Sequence, residues 1–354
     1  MAYHIGMAIS YSFLPAHRQG LLIWLYGCAI LIAIMVTIGG VTRLTESGLS
    51  ITEWRPLSGV FYPQDEAAWQ DAFSKYQKIP EYKIQNKGMT LEEFKKIYFW
   101  EYFHRLWGRL IGLAYALPLI FFWARGWIPG HYKPAFAGIL ALGALQGGLG
   151  WYMVKSGLSG GIDVSPYRLT MHLGLAFIIF AAIISLAMRL KNEGKIFIEK
   201  TYTPAWIAAG ARRLMMFFAL VFIYGGLMAG YKAGLVYNTW PLMDGDIIPK
   251  GIAELSPWYK NLYANVITIN FLHRWLAFIF ALTTIIFGIM ALRDDLPRKA
   301  RIALIHLMAM VIIQAGLGIV ALVKAVPLHA GVAHQLGALL VLACLVWFTK
   351  SIKQ

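Results

Sequence analysis

The sequence predicts an all-α polytopic membrane protein, with eight transmembrane helices arranged as two pseudo-symmetric four-helix bundles. Composition is the first observation behind this. The 354-residue chain is 59% hydrophobic and 14% charged, where a soluble domain carries about 25% charged residues, and its mean hydropathy is +0.60. The second is that apolar runs long enough to cross a bilayer, about 20 residues each, recur eight times. The third is that the second half of the chain repeats motifs of the first.

In order, the spans are expected at 20–41, 103–124, 135–154, 168–188, 214–236, 265–292, 302–323 and 329–349. Between the first two lies a polar loop, 42–102. Within it, 65–77 and 90–100 read as short amphipathic helices, with Trp69, Phe73 and Tyr76 on one and Leu91, Phe94 and Ile97 on the other. Packing on the membrane surface is their expected role. Basic residues gather in the loops of one side: Arg18, Arg125, Lys133, Arg189, Lys195, Lys200, Arg212, Arg213, Arg293, Arg298 and Lys353. The positive-inside rule makes that side, and both termini, cytoplasmic. The formal charge of +15 is then a loop property, and without a compact basic domain it does not imply nucleic-acid binding. The N-terminus has neither a cleavable signal nor the character of a transit peptide, so a bacterial inner membrane is expected. Cys28 and Cys344 fall inside apolar runs and suggest neither a disulfide nor a metal site.

The repeat divides the chain at about residue 200, into 1–200 and 201–354. GGVTRLTESGLSITEWRPLSG (39–59) resembles GGLMAGYKAGLVYNTWPLMDG (225–245), which matches Trp54 with Trp240. LQGGLGWYMVK (145–155) matches IQAGLGIVALVK (313–324). His104-Arg105 matches His273-Arg274, and His172 matches His334. An even number of spans per unit relates the copies by an axis along the membrane normal.

Of nine histidines, His4, His17 and His131 lie in tails or loops. His306 has no repeat partner and reads as a structural hydrogen-bonder. His329 also lacks one and ranks below His334. The matched set, His104, His172, His273 and His334, falls near the outer end of the second, fourth, sixth and eighth spans. Facing helices of a bundle can hold a cofactor between side chains, and imidazole is an axial ligand of haem iron. Gly108 and Gly112, Ala176, Ala277, Ala281 and Ala338 follow these histidines at helical spacing. They leave room for a flat macrocycle, or serve close helix packing. Arg105 and Arg274 could pair with haem propionates. Arg109 and Arg168 are either similar or snorkelling residues. Zinc fits two separated pairs poorly, because it wants three or four convergent ligands.

The halves differ at one telling position. Glu101 stands one helical turn before His104, and the second copy has Asn270 there. A carboxylate in one half only could shuttle protons or stabilise a cationic intermediate. Alternatively it pairs with Arg105 or Arg109.

EYFHRLWGR (101–109), LTMHLGLA (169–176), FLHRWLA (271–277), AHQLGA (333–338) and the 39–59 segment together resemble the haem A synthase family, over nearly the whole chain. The long first loop resembles its alphaproteobacterial and mitochondrial branch. The resemblance implies oxidation of the C8 methyl group of haem O to the formyl group of haem A, for haem-copper oxidases. It implies His104 and His172 as ligands of the substrate haem, His273 and His334 as ligands of a haem b, and Glu101 as the essential glutamate. Candidate partners are the farnesyl transferase that supplies haem O and oxidase assembly factors; the oligomeric state, a homo-oligomer included, stays open. The external cysteine pair of many bacterial members is missing, which puts any thiol mechanism in doubt. The rival classes are a two-haem b-type electron carrier without substrate turnover and a transporter of parallel repeats. A carrier usually stacks its haems across the membrane, and a transporter would show ionisable groups at the midplane.

Overall fold

A computed structural model describes residues 15–54, 58–193 and 203–352. Eight long helices dominate it: α1 (Pro15–Leu44), α4 (Leu91–Ala124), α5 (Lys133–Gly160), α6 (Pro166–Asn192), α7 (Ala205–Gly230), α9 (Val266–Ala291), α10 (Arg298–Val323) and α11 (Leu328–Ser351). All eight are long and apolar enough to cross a membrane. Three short helices complete the set, α2 (Glu66–Tyr76), α3 (Pro80–Ile84) and α8 (Asn261–Ala264). The expected boundary near residue 200 lies outside the described residues, as do Lys195, Lys200 and Lys353.

Two expectations about the first loop are corrected. Residues 91–100 are not a separate surface helix but the first turns of α4. Thr90 and Glu93 form a reciprocal capping box at its start, and nothing in EYFHRLWG breaks the helix before the membrane. Nor do the aromatic faces lie on the membrane surface. Trp69, Phe73 and Tyr76 of α2 close on Phe94 of α4, Leu49 and Ile79, forming a small core of their own. Ring-to-ring contacts hold it, including Phe73–Phe94 at 5.0 Å and Tyr76–Phe94 at 5.1 Å. The loop is therefore a folded cap over one end of the bundle.

The fifth span is also displaced. It was expected at 214–236 and runs from Ala205 to Gly230. At its start, Arg212 and Arg213 are exposed but helical, as snorkelling arginines are. At its end, Lys232 takes a left-handed conformation (φ 53°) that stops the helix. Glu46, its counterpart in the repeat, has the same φ of 53° just after α1. The two residues touch: Lys232 Nζ lies 2.7 Å from Glu46 Oε1, and 3.1 Å from Asp163 Oδ1. Arg43 donates to the carbonyl of Ala229, again its own counterpart. Residues beside an approximate two-fold axis make contacts of this kind.

The apolar core occupies the end of the bundle away from the cap. It is built from Leu21 and Leu25 of α1, Ile183 and Leu190 of α6, Ile207 of α7, Leu304 and Leu307 of α10, and Leu345 and Phe348 of α11. Toward the cap, the helices hold histidine, arginine, glutamine and glycine instead.

Candidate functional site

His172, His273 and His334 lie in the second or third turn of α6, α9 and α11, and His104 lies deeper in α4 because that helix begins inside the cap. Each ring rests on a glycine of a neighbouring helix. A Cβ built on Gly39 would stand 3.2 Å from His104, on Gly150 2.9 Å from His172, on Gly225 3.0 Å from His273, and on Gly318 2.8 Å from His334. Real side chains essentially never approach as closely as at Gly150 and Gly318, and the contacts at Gly39 and Gly225 would be tighter than most, so glycine makes space for each imidazole. Of the glycines expected to make room, Gly108 faces Met35, and Gly112 faces open space.

A second matched pair supports the rings from behind. Gln146 Nε2 donates to the carbonyl of His172, and Gln314 Nε2 to that of His334, both at 3.0 Å. Each amide also lies within reach of the ring itself, at 3.4 and 3.1 Å. These glycines and glutamines escaped the sequence reading. The signal was present in QGGLG and QAGLG, and for Gly39 and Gly225 in GGVTR and GGLMA, all aligned as repeats but assigned no role.

The four histidines are half-buried although the bundle surrounds them. The Nδ1 atoms of His172 and His273 are buried without a hydrogen-bond partner. The His273 and His334 rings are 6.4 Å apart, with planes at 82°. Two metal–imidazole bonds of about 2 Å, back to back, put ring centroids roughly 6 Å apart. The pair thus fits a shared haem iron. His104 and His172 are near enough to interact electrostatically. Among the described residues, no three His, Cys, Asp or Glu side chains converge as a metal site.

The two halves diverge around the arginines. Glu101 is 2% exposed. Its Oε2 accepts from Ser50 Oγ and from the Ile51 backbone N–H, both at 2.7 Å. Its Oε1 accepts from Arg105 Nη2 at 2.6 Å and Nε at 3.1 Å. Arg105 also donates to the carbonyls of Glu53 and Ile51, at 3.0 and 2.8 Å. The pairing named as an alternative for Glu101 is therefore real, and it commits most of the Arg105 donors within the protein.

In the other half, Asn270 is fully buried. It donates to the carbonyl of Ala233 at 2.8 Å, and its Oδ1 has no partner. Arg274 stacks over Trp240 at 5.4 Å and donates to the carbonyls of Thr239 and Leu242. Its Nη1 is buried without a partner, so it retains a donor that a propionate could take. Arg168 instead stacks on Tyr152 at 3.7 Å and bonds its carbonyl at 2.8 Å. Arg109 is half-buried one turn below Arg105. His306 Nδ1 donates to the Ile302 carbonyl at 2.8 Å, as a structural residue would. His329 is exposed.

Residues 22–346 match the model of the family described as "Cytochrome oxidase assembly protein" (COX15-CtaA). The chain is 45% identical to the Heme A synthase of Nitrosospira multiformis, covering 96% of this chain and 95% of the relative. It is 44% identical to that of Nitrosomonas eutropha, covering 98% of each. It is 46% identical to that of Chelativorans sp., covering 92% of this chain and 89% of the relative.

Proposed function

Since the chain belongs to the cytochrome oxidase assembly family that includes these Heme A synthases, we propose that it oxidises the C8 methyl group of haem O to a formyl group, giving haem A for cytochrome oxidase. It does so as a multi-pass protein of the bacterial inner membrane. The basic residues opposite the cap support an orientation with both termini in the cytoplasm.

The single observation that carries the division of labour is the asymmetry between two otherwise matched histidine pairs. In the C-terminal half, His273 and His334 would hold a haem b, and the unpartnered Nη1 of Arg274 would be the donor available to a propionate. That resident haem supplies one-electron redox chemistry when bound. In the N-terminal half, His104 and His172 hold the substrate haem, and the neighbouring arginine is occupied by Glu101. A half whose only task was to retain haem would gain nothing from that carboxylate.

Glu101 is the catalytic residue of this reading. Its four hydrogen bonds fix a negative charge beside the substrate, where oxidation of the methyl group builds positive charge. It can also take up a proton. Ser50 has a single hydroxyl hydrogen, and its Oγ lies 3.0 Å from the Ser47 carbonyl and 3.4 Å from that of Ile97. Turning that hydrogen to either carbonyl frees Oε2 as an acceptor without leaving Ser50 unbonded. Arg105 meanwhile ties the helix bearing Glu101 to the 51–53 segment, which holds the carboxylate in position.

The test is Glu101→Gln, read by chromatography of extracted pigments. Loss of a general acid/base costs about 10²–10⁴-fold, so haem A should fall to traces while haem b and bound haem O persist. Near-normal haem A would remove Glu101 from the chemistry. The second reading, a two-haem electron carrier, predicts that the wild type never accumulates haem A from haem O.

A further inference from the structure

The glycines that seat His104 and His273 are each followed by a second glycine, Gly40 on α1 and Gly226 on α7. Neighbouring positions on a helix point about 100° apart, so the two members of a pair meet different neighbours. The first, Gly39 or Gly225, meets the imidazole of its own half. The second meets the helix that carries a histidine of the other half. A Cβ on Gly226 would stand 2.7 Å from Thr170 Cγ2 and 2.8 Å from its Oγ1, and Thr170 lies two residues before His172 on α6. A Cβ on Gly40 would stand 3.4 Å from the side-chain amide of Gln335 and 3.4 Å from Val332 Cγ2, and Gln335 directly follows His334 on α11.

These crossings are fixed from both sides. Gln335 Nε2 donates to the carbonyl of Val36, one turn before Gly40, at 2.8 Å. Thr170 Oγ1 donates to the carbonyl of Pro166 at 2.8 Å. A Cβ on Gly230, one turn beyond Gly226, would stand 2.5 Å from Pro166 Cα, so α6 and α7 are in close contact over a full turn. Membrane helices commonly use glycine to approach one another. Close packing alone does not account for a pair that recurs at matched places in the repeat and each time joins one half's imidazole to the other half's histidine helix.

The geometry points to Gly40 and Gly226, with Gln335 and Thr170 against them, as positioning residues that couple the two haem sites, one glycine pair linking an imidazole of each half to a histidine helix of the other. This rests on the reading of the two histidine pairs as haem sites. Packed interiors transmit displacement because they have little room to absorb it. A movement of His273 as its site fills is passed through Gly225 and Gly226 to Thr170, and so to His172. A movement of His104 is passed through Gly39 and Gly40 to Gln335, and so to His334. Such coupling is reciprocal: each site alters the affinity of the other by the same factor.

The test uses the full-length protein with its haem b, and the zinc analogue of haem O as probe. Zinc is diamagnetic and has no redox chemistry. Fluorescence of the analogue follows its binding, and electron paramagnetic resonance then reports ferric haem b alone, whose signal depends on the angle between its two imidazole rings. In the wild type, binding of the analogue should shift the haem b signal. His273→Ala, which lacks haem b, should bind the analogue at least about fivefold more weakly. Gly226→Ala should keep haem b and lose the shift. Thr170→Ala removes the atoms nearest Gly226 without crowding the contact, and should lose the shift as well. In the double variant the new methyl group faces the Cβ of residue 170 at 3.1 Å, and the shift should return. Gly210→Ala crowds the other end of α7, where a Cβ would stand 2.3 Å from Phe287, and should keep the shift. A wild type that binds the analogue with no change in haem b, or a His273→Ala variant that binds it as tightly, overturns the coupling. Single variants that shift like the wild type overturn the path through Gly226 and Thr170. Loss of the shift in Gly210→Ala overturns that path too, because any crowding of α7 would then suffice. An analogue that fails to bind the wild type, or binds His104→Ala and His172→Ala equally well, overturns the reading of the N-terminal pair beneath it.

Discussion

At the scale of single residues, the histidines were readable because an imidazole in an apolar helix is costly and their positions repeat. What surrounds them was not readable. The bonds from Ser50 and Ile51 to Glu101 require the chain after α1 to fold back across α4, and no local pattern encodes that path. The pairing of Glu101 with Arg105 was foreseen as an alternative, since residues four apart share a helical face. The unpartnered Arg274 Nη1 was not, because it depends on what a distant loop fails to provide. The ligand assignment has a direct test. His273→Ala or His334→Ala should strip the haem b from a protein that still inserts, while His104→Ala or His172→Ala should leave it in place. The absorbance of purified variants decides, and a full, unchanged haem b in His273→Ala would sink the assignment.

At the scale of elements, the helices could be read from hydropathy and their ends could not. Four of the eight spans, those of α6, α9, α10 and α11, were expected within four residues of the observed helices at both ends, while α1 starts five residues earlier and α5 ends six residues later than expected. The second and fifth were shifted by features that hydropathy does not register: a capping box at Thr90 and a left-handed stop at Lys232. The cap was misread because amphipathic faces look the same whether they meet lipid or one another. Helix-to-helix approach was equally hidden, since a glycine beneath an imidazole is a matter of register between two helices. Its consequence is measurable. In Gly318→Ala the new methyl group would fall 2.8 Å from the His334 ring, and the ring must move. Overpacking of this kind costs about 1–3 kcal/mol. The visible result should be haem b bound more weakly or with an altered spectrum, at normal protein yield. An unchanged spectrum and occupancy would mean that the ring has somewhere else to go.

At the scale of the whole molecule, the proposed orientation rests on charge. Arg18, Arg125, Lys133, Arg293 and Arg298 belong to the end opposite the cap, and Arg18 bonds the Glu193 carbonyl there at 2.9 Å. A cysteine introduced at position 298 should resist an impermeant thiol reagent applied to intact cells, and one at position 66 in the cap should react. The reverse pattern would invert the protein and carry every haem site to the other face. The repeat itself was the most legible large-scale feature, because duplicated segments retain their order long after their residues diverge.

The contact between Glu46 and Lys232 bears on how such a molecule chooses its own halves. Each residue meets its counterpart at the seam, and the two carry opposite charge. A pairing of two N-terminal halves would set glutamate against glutamate, and one of two C-terminal halves lysine against lysine. Like charges so placed disfavour the wrong match while opposite charges favour the right one. Asp163 adds a second anion that only the lysine-bearing half can satisfy. The seam thus works as a lock with a single key. It lets two bundles of similar shape recognise each other as unlike, so that the half proposed for turnover meets the half proposed for retention.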